Sequence, residues 1–166
     1  MSFDWQKAVA DGFDEKRRQY IEHTGTHYLE LIGYDWFDGS YDEKTQRGFK
    51  QKVGPLFLFK CVGSETMPTG LEAARFVALN RSSEKGPAAT TVMRRMAVGE
   101  ARDLFAALLV SKGGPEEAEN FDASVLTDIM PNVDAVNSAF IGTVVRCDAK
   151  EKNGFVDSKW FADDRE

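Results

Sequence analysis

Residues 44–62 read KTQRGFKQKVGPLFLFKCV, and how this stretch is taken decides the fold. Its first half is basic and carries one aromatic, Phe49. Its second half is a nearly unbroken apolar run with Phe57, Phe59 and then Lys60. A short apolar run bounded by turn formers reads as a buried strand. Gly54-Pro55 interrupts it, and a proline inside a strand marks a bulge or an edge. The outer part, 44–52, is therefore the part that meets a ligand, while Phe57 and Phe59 belong to the core.

Working outward, residues 25–34 form the preceding strand. His27, Leu29 and Leu31 alternate with Tyr28, Glu30 and Ile32, the two-residue period of a half-buried strand. GYDWFDG at 33–39 is rich in aromatics and turn formers, with Asp38-Gly39 as the turn signal. Residues 40–46 are a polar loop. The second strand runs from Arg47 to about Gly63, and 64–70 turn. Residues 71–80 (LEAARFVALN) carry both signals: the alanines favour helix, Phe76-Val77 and the flanking turns favour strand, and strand is expected. Residues 81–89 read as a mobile loop and 90–96 as a short extended segment.

Between 98 and 109, Val98, Ala101, Leu104, Phe105, Leu108 and Leu109 recur at helical spacing, with Glu100, Arg102 and Asp103 off that face. A second helix is expected over 122–130, stopped by Pro131. Residues 139–149 and 155–161 are strands joined by a turn at Asn153-Gly154, a strong hairpin signal. Residues 1–24 form an N-terminal arm that lies on the domain through Phe3, Trp5 and Phe13, with an exposed loop or helical turn at 14–20. The domain spans 25–161, and 162–166 are a short acidic tail.

The order strand, bent strand, strand, helices, strand, strand defines the expected class: mainly β with α, a five-stranded OB-fold barrel with helices inserted between strands 3 and 4. At 166 residues the chain is one domain with a real core. Its two cysteines, Cys61 and Cys147, are far apart in apolar runs and read as buried thiols of a reduced, cytoplasmic protein. No apolar run suits a signal peptide or a membrane span.

Net charge is −6 overall but unevenly spread. Residues 1–43 carry ten acidic and four basic groups. Residues 44–95 carry ten basic against three acidic, net +7, and residues 96–166 seven basic against fourteen acidic. Such asymmetry is a partner signal. The bland alternative is that these cations scatter over several faces once folded.

The layout resembles phage-encoded OB-fold single-stranded-DNA-binding proteins. The matching pieces are GTHYLELI at 25–32, KTQRGF at 44–49, VGS at 62–64, the helix at 98–109, GTVVRC at 142–147, and NGF at 153–155 followed by Trp160. The match spans roughly residues 3–161. The chain departs from the pattern in its long aromatic loop, its acidic flanks, and the lack of a long acidic tail ending in an aromatic. The resemblance implies binding of single-stranded DNA without strong sequence preference, in phage replication or recombination.

Such binding needs cations for phosphates and aromatic faces for bases. The candidate cations are Lys44, Arg47, Lys50, Lys52, Lys60, Arg75 and Arg81, with Lys150 and Lys152 beside the hairpin turn. The candidate stacking groups are Tyr34, Trp36, Phe37, Tyr41 and Phe49. Phe76 reads as core, and Trp160 stays open between core and platform. Arg94-Arg95 is either a phosphate clamp or a solvated pair. No nucleophile elbow, phosphate loop or dinucleotide fingerprint is present. His23 and His27 flank a helix-breaking glycine, so no catalytic residue, metal or cofactor is expected. The partners implied are single-stranded DNA, replication or recombination proteins and a second copy of the chain. The other reading is an OB-fold protein-interaction module, an accessory factor or inhibitor of a host nucleic-acid or defence enzyme. A nucleotide or small-ligand binder is the third.

Overall fold

The computed structural model describes residues 3–13, 24–39, 52–152 and 155–165. Helix α1 (Trp5–Gly12) is capped by Asp4, whose carboxylate accepts the Lys7 backbone N–H at 3.1 Å. It is followed by β1 (Gly25–Asp38), β2 (Val53–Ser64) and β3 (Glu72–Phe76). A helical stretch comes next: α2 (Pro87–Gly113), a 3-10 turn (Pro115–Asn120), α3 (Ala123–Ile129) and α4 (Val133–Phe140). β4 (Val144–Lys152) and β5 (Phe155–Ala162) end the fold.

The five strands form one antiparallel sheet in the order β3-β2-β1-β4-β5. The expected barrel is not closed: among the described residues no pairing joins β3 to β5. The sheet is nevertheless strongly curled. Phe59 on β2 stacks on Trp160 of β5 with ring centroids 5.6 Å apart, although strands three places apart in a flat sheet would be ~14 Å apart. Two bulges between β1 and β2 supply bend. One places Val62 as an extra residue on β2, and the other places Ile32 as an extra residue on β1.

The inner face meets α2. Leu29, Leu31, Phe57, Phe59, Val145 and Trp160 bury against Val98, Ala101, Leu104, Phe105 and Leu108. Tyr34, Phe57 and Phe105 pack edge-on with centroids 5.2–5.6 Å apart. Beyond Glu30, β1 loses β4 as a neighbour and α4 takes its place. The Asn137 side chain accepts from the Tyr34 N–H and donates to the Tyr34 carbonyl, both at 3.0 Å. One amide thus fills the role of a strand partner.

Several sequence expectations need correcting. Residues 34–38 are not a turn but the end of β1, paired with β2 out to Asp38 opposite Val53. Gly54-Pro55 makes no break, since the register runs unshifted from Val53 to Leu58. Pro55 lacks an N–H, but its carbonyl accepts from Val77 at 3.0 Å. β3 is shorter than expected. Residues 90–96 are helical, because α2 opens at Pro87, about three turns before Val98. Residues 139–140 end α4, and β4 begins only at Val144. The expected loops at 14–20 and 40–46, the first residues of strand two at 47–51, and the Asn153-Gly154 turn lie outside the described residues.

Gly54 is fixed by close approach. A Cβ there would lie 1.8 Å from the Val77 carbonyl oxygen. Gly54→Ala is therefore expected to lower stability by about 2 kcal/mol or more, read as a lower urea midpoint with an unchanged m-value.

Candidate nucleic-acid interface

The predicted site residues do not gather on one face. Tyr34 is buried, and its hydroxyl donates to the Met130 carbonyl at 2.6 Å. Burial holds its pKa well above the usual tyrosine value. It is not available to stack on a base. Trp36 is half-buried against Trp5, with centroids 4.8 Å apart, and Phe37 packs on Phe76. The aromatics read as a binding loop therefore hold α1 and β3 to the sheet. Phe57 and Phe59 are core, and Trp160 is buried as well.

Arg75 is likewise removed from the list of free cations. Its Nε and Nη2 each bond the Glu100 carboxylate at 2.5 Å. Burial works against the Arg75 charge, and the bonds and charge of Glu100 outweigh it, so its pKa is raised. Glu100 is not on a solvent face, as its position off the apolar stripe suggested; it is 3% exposed. Losing Arg75 would strand the buried Glu100 carboxylate, which costs ~3–5 kcal/mol.

Lys60 is exposed on the outer face, but in register it has Glu30 on one side and Glu72 on the other. Lys150 is exposed near the far end of β4. Tyr41, Lys44, Arg47, Phe49, Lys50 and the side chain of Lys152 lie outside the described residues.

What the structure does gather is a basic corner at the start of β2. The Val53 N–H donates to Asn80 Oδ1 at 3.0 Å, and the Leu79 N–H to the Val53 carbonyl at 2.8 Å. These bonds bring exposed Arg81 beside exposed Lys52. Arg94 Nε then donates to the Arg81 carbonyl at 3.2 Å, which adds α2 to the group, with Arg95 next in sequence. Segment 81–89, expected to be loose, is tied down further: the Ser83 N–H donates to Thr90 Oγ1 at 3.0 Å and the Lys85 N–H to Ser83 Oγ at 3.1 Å. In sequence, Lys44, Arg47 and Lys50 lead into this corner.

A second cluster on the outer face escaped the sequence reading. Tyr28 and Arg146 are cross-strand neighbours, and Arg146 lies 4.5 Å from the ring centroid of Phe161. The period-two alternation of β1 and β4 would have placed them outward together. The cluster is occupied by the acidic tail. Asp164 accepts from the Tyr28 hydroxyl at 2.7 Å and from Arg146 at 2.5 Å, while Arg165 lies over the Tyr28 ring at 4.7 Å. The bonds from Tyr28 and Arg146 hold the Asp164 pKa below the usual carboxylate value.

The N-terminal segment docks as a helix. Trp5 meets Trp36, Phe13 meets Phe121, and Arg102 donates to the Phe13 carbonyl at 2.6 Å. Among the described residues, no group of His, Cys, Asp and Glu side chains is placed to hold a metal ion, and no helix is long and apolar enough to cross a membrane. His27 is buried, its Nδ1 2.6 Å from Ser64 Oγ. Compared with known protein families, curated proteins and solved structures, the chain matches none.

Cys61 and Cys147 are both buried free thiols. Burial pushes the Cys147 thiol up from 9.0 to about 12. A group raised on folding favours the folded state below its ordinary value and withdraws that support as pH climbs through the folded value. Tyr34 acts in the same direction. The urea midpoint should therefore fall as pH climbs from about 9 towards about 12, less steeply in Cys147→Ala, and a thiol reagent at neutral pH should modify either cysteine only in unfolded protein.

Proposed function

We propose that this protein binds single-stranded nucleic acid, DNA in the first instance and without strong sequence preference, through the basic corner at the start of β2. The observation that carries this reading is the run of bonds from Val53 to Asn80 and from Arg94 to Arg81. It brings together the three separate stretches that carry Lys52, Arg81 and Arg94, with Arg95 next to Arg94 in sequence, and the chain enters Lys52 from a segment that holds Lys44, Arg47 and Lys50. Phosphate contacts dominate sequence-tolerant affinity, so clustered cations weigh more than scattered ones. The curled antiparallel sheet with its helical stretch before β4 is also what an opened OB barrel would look like. In this reading Phe49 and Tyr41, not Tyr34 or Trp36, are the stacking groups, and the protein coats strands in phage replication or recombination.

One observation favours the protein-interaction reading. From residue 113 to 145 the chain has no Lys or Arg, and Glu116, Glu119, Asp122, Asp128 and Asp134 are all exposed. An acidic surface of this kind suits a basic partner. A pull-down from host lysate that survives nuclease treatment would favour it.

Fluorescence anisotropy with labelled oligothymidylate tests the first reading. Binding is expected at about 50 mM salt and should weaken as salt rises. The double variant Lys52→Glu with Arg81→Glu should bind at least about tenfold more weakly and show a shallower salt dependence. Lys60→Ala should bind nearly as the parent does. Absence of binding at low salt rejects the reading.

A further inference from the structure

A groove of about 320 Å³ separates α1 from the N-terminal half of α2. It is at the small end of ligand clefts, which run ~300–1,000 Å³. Asp4, Lys7 and Asp11 recur at helical spacing and line one wall, while Arg94 and Arg95 line the other. Phe3 closes one side, and the Arg94 guanidinium lies 4.9 Å from its ring centroid, so an apolar wall adjoins a cation.

The charges do not cancel one another. Among the described residues neither the Lys7 ammonium nor the Arg95 guanidinium has an ion-pair partner. Asp4 is engaged with the Lys7 backbone N–H, and its second oxygen remains an acceptor. A simple anion would meet the three cations but also two carboxylates. A ligand with an anion at one end and hydrogen-bond donors at the other is matched by both sets. A phosphate suits Lys7, Arg94 and Arg95. Sugar hydroxyls or an imide or amino N–H of a base can donate to Asp4 and Asp11, and the base can lie against Phe3.

We propose that the groove between α1 and α2 binds a nucleoside monophosphate. The site stands apart from the strand-binding reading, with which it shares only the arginine pair on α2. It gives the docked N-terminal helix a role: α1 supplies Lys7 and both carboxylates, and without it the groove does not exist.

Titration of thymidine 5′-monophosphate into the isotope-labelled 166-residue chain, followed by amide shifts, tests the proposal. Saturable shifts at Ala8, Asp11, Thr91 and Arg95 support it, with thymidine alone and inorganic phosphate alone each at least about tenfold weaker. Arg95→Glu and, on the opposite wall, Lys7→Ala should each weaken the nucleotide about tenfold or more with Tm unchanged. Lys52→Glu, in the basic corner, should leave it as it was. Failure to saturate by about 5 mM, equal binding of inorganic phosphate alone, or undiminished binding in both groove variants overturns the proposal. Nucleotide shifts in a protein that ignores oligothymidylate would still support the groove, so the two readings fail separately.

Discussion

Phe59 and Trp160 can touch only if the sheet bends, and much of the structure follows from that bend. The rings belong to strands separated by two others. The bulges at Val62 and Ile32 lie in the β1–β2 ladder, the longest in the sheet, and each raises local twist. Once curled, the sheet has a concave face deep enough to take α2 along Leu104, Phe105 and Leu108. It also brings Arg75, on the edge strand β3, within reach of Glu100 on α2. An ion pair therefore ties the edge strand β3 to the helix on the concave face.

The same curl explains why the positive charge is arranged as it is. A cation on the inner side of β3 has to be neutralised, and Arg75 is. Lys60, in mid-sheet on the outer side, has a carboxylate on each flanking strand. Where the chain leaves β3 and runs back beside the start of β2, Arg81 comes near Lys52 and Arg94. The corner is thus a product of topology more than of local sequence.

This sets what could be read from the chain alone. The alternation at 25–32, the apolar run around Phe57 and Phe59, the helical spacing at 98–109 and the strands around Asn153-Gly154 are local patterns, and the elements they announce are present. Tyr34 and Trp36 misled because glycine and aspartate beside them are turn formers. What holds them extended is distant in sequence: β2, Asn137 and Trp5. Thr90, Thr91 and Val92 are β-branched and read as extended, while Pro87 at the first turn was the better signal. For the site, residue type was legible and company was not. Arg81 and Arg94 were visible as cations, but nothing local says that one lies against the other, or that Arg75 is held by a glutamate 25 residues on.

The Asn137 amide carries a consequence for how the molecule can be taken apart. By bonding both backbone groups of Tyr34, it splices the helical stretch into the hydrogen-bond ladder of the sheet. The helices are therefore not an ornament hung between two strands that could be trimmed to leave a smaller β domain. Excision would expose a donor and an acceptor in the middle of β1, next to the Tyr34–Phe57–Phe105 packing. Insertion and sheet are therefore one hydrogen-bonded unit.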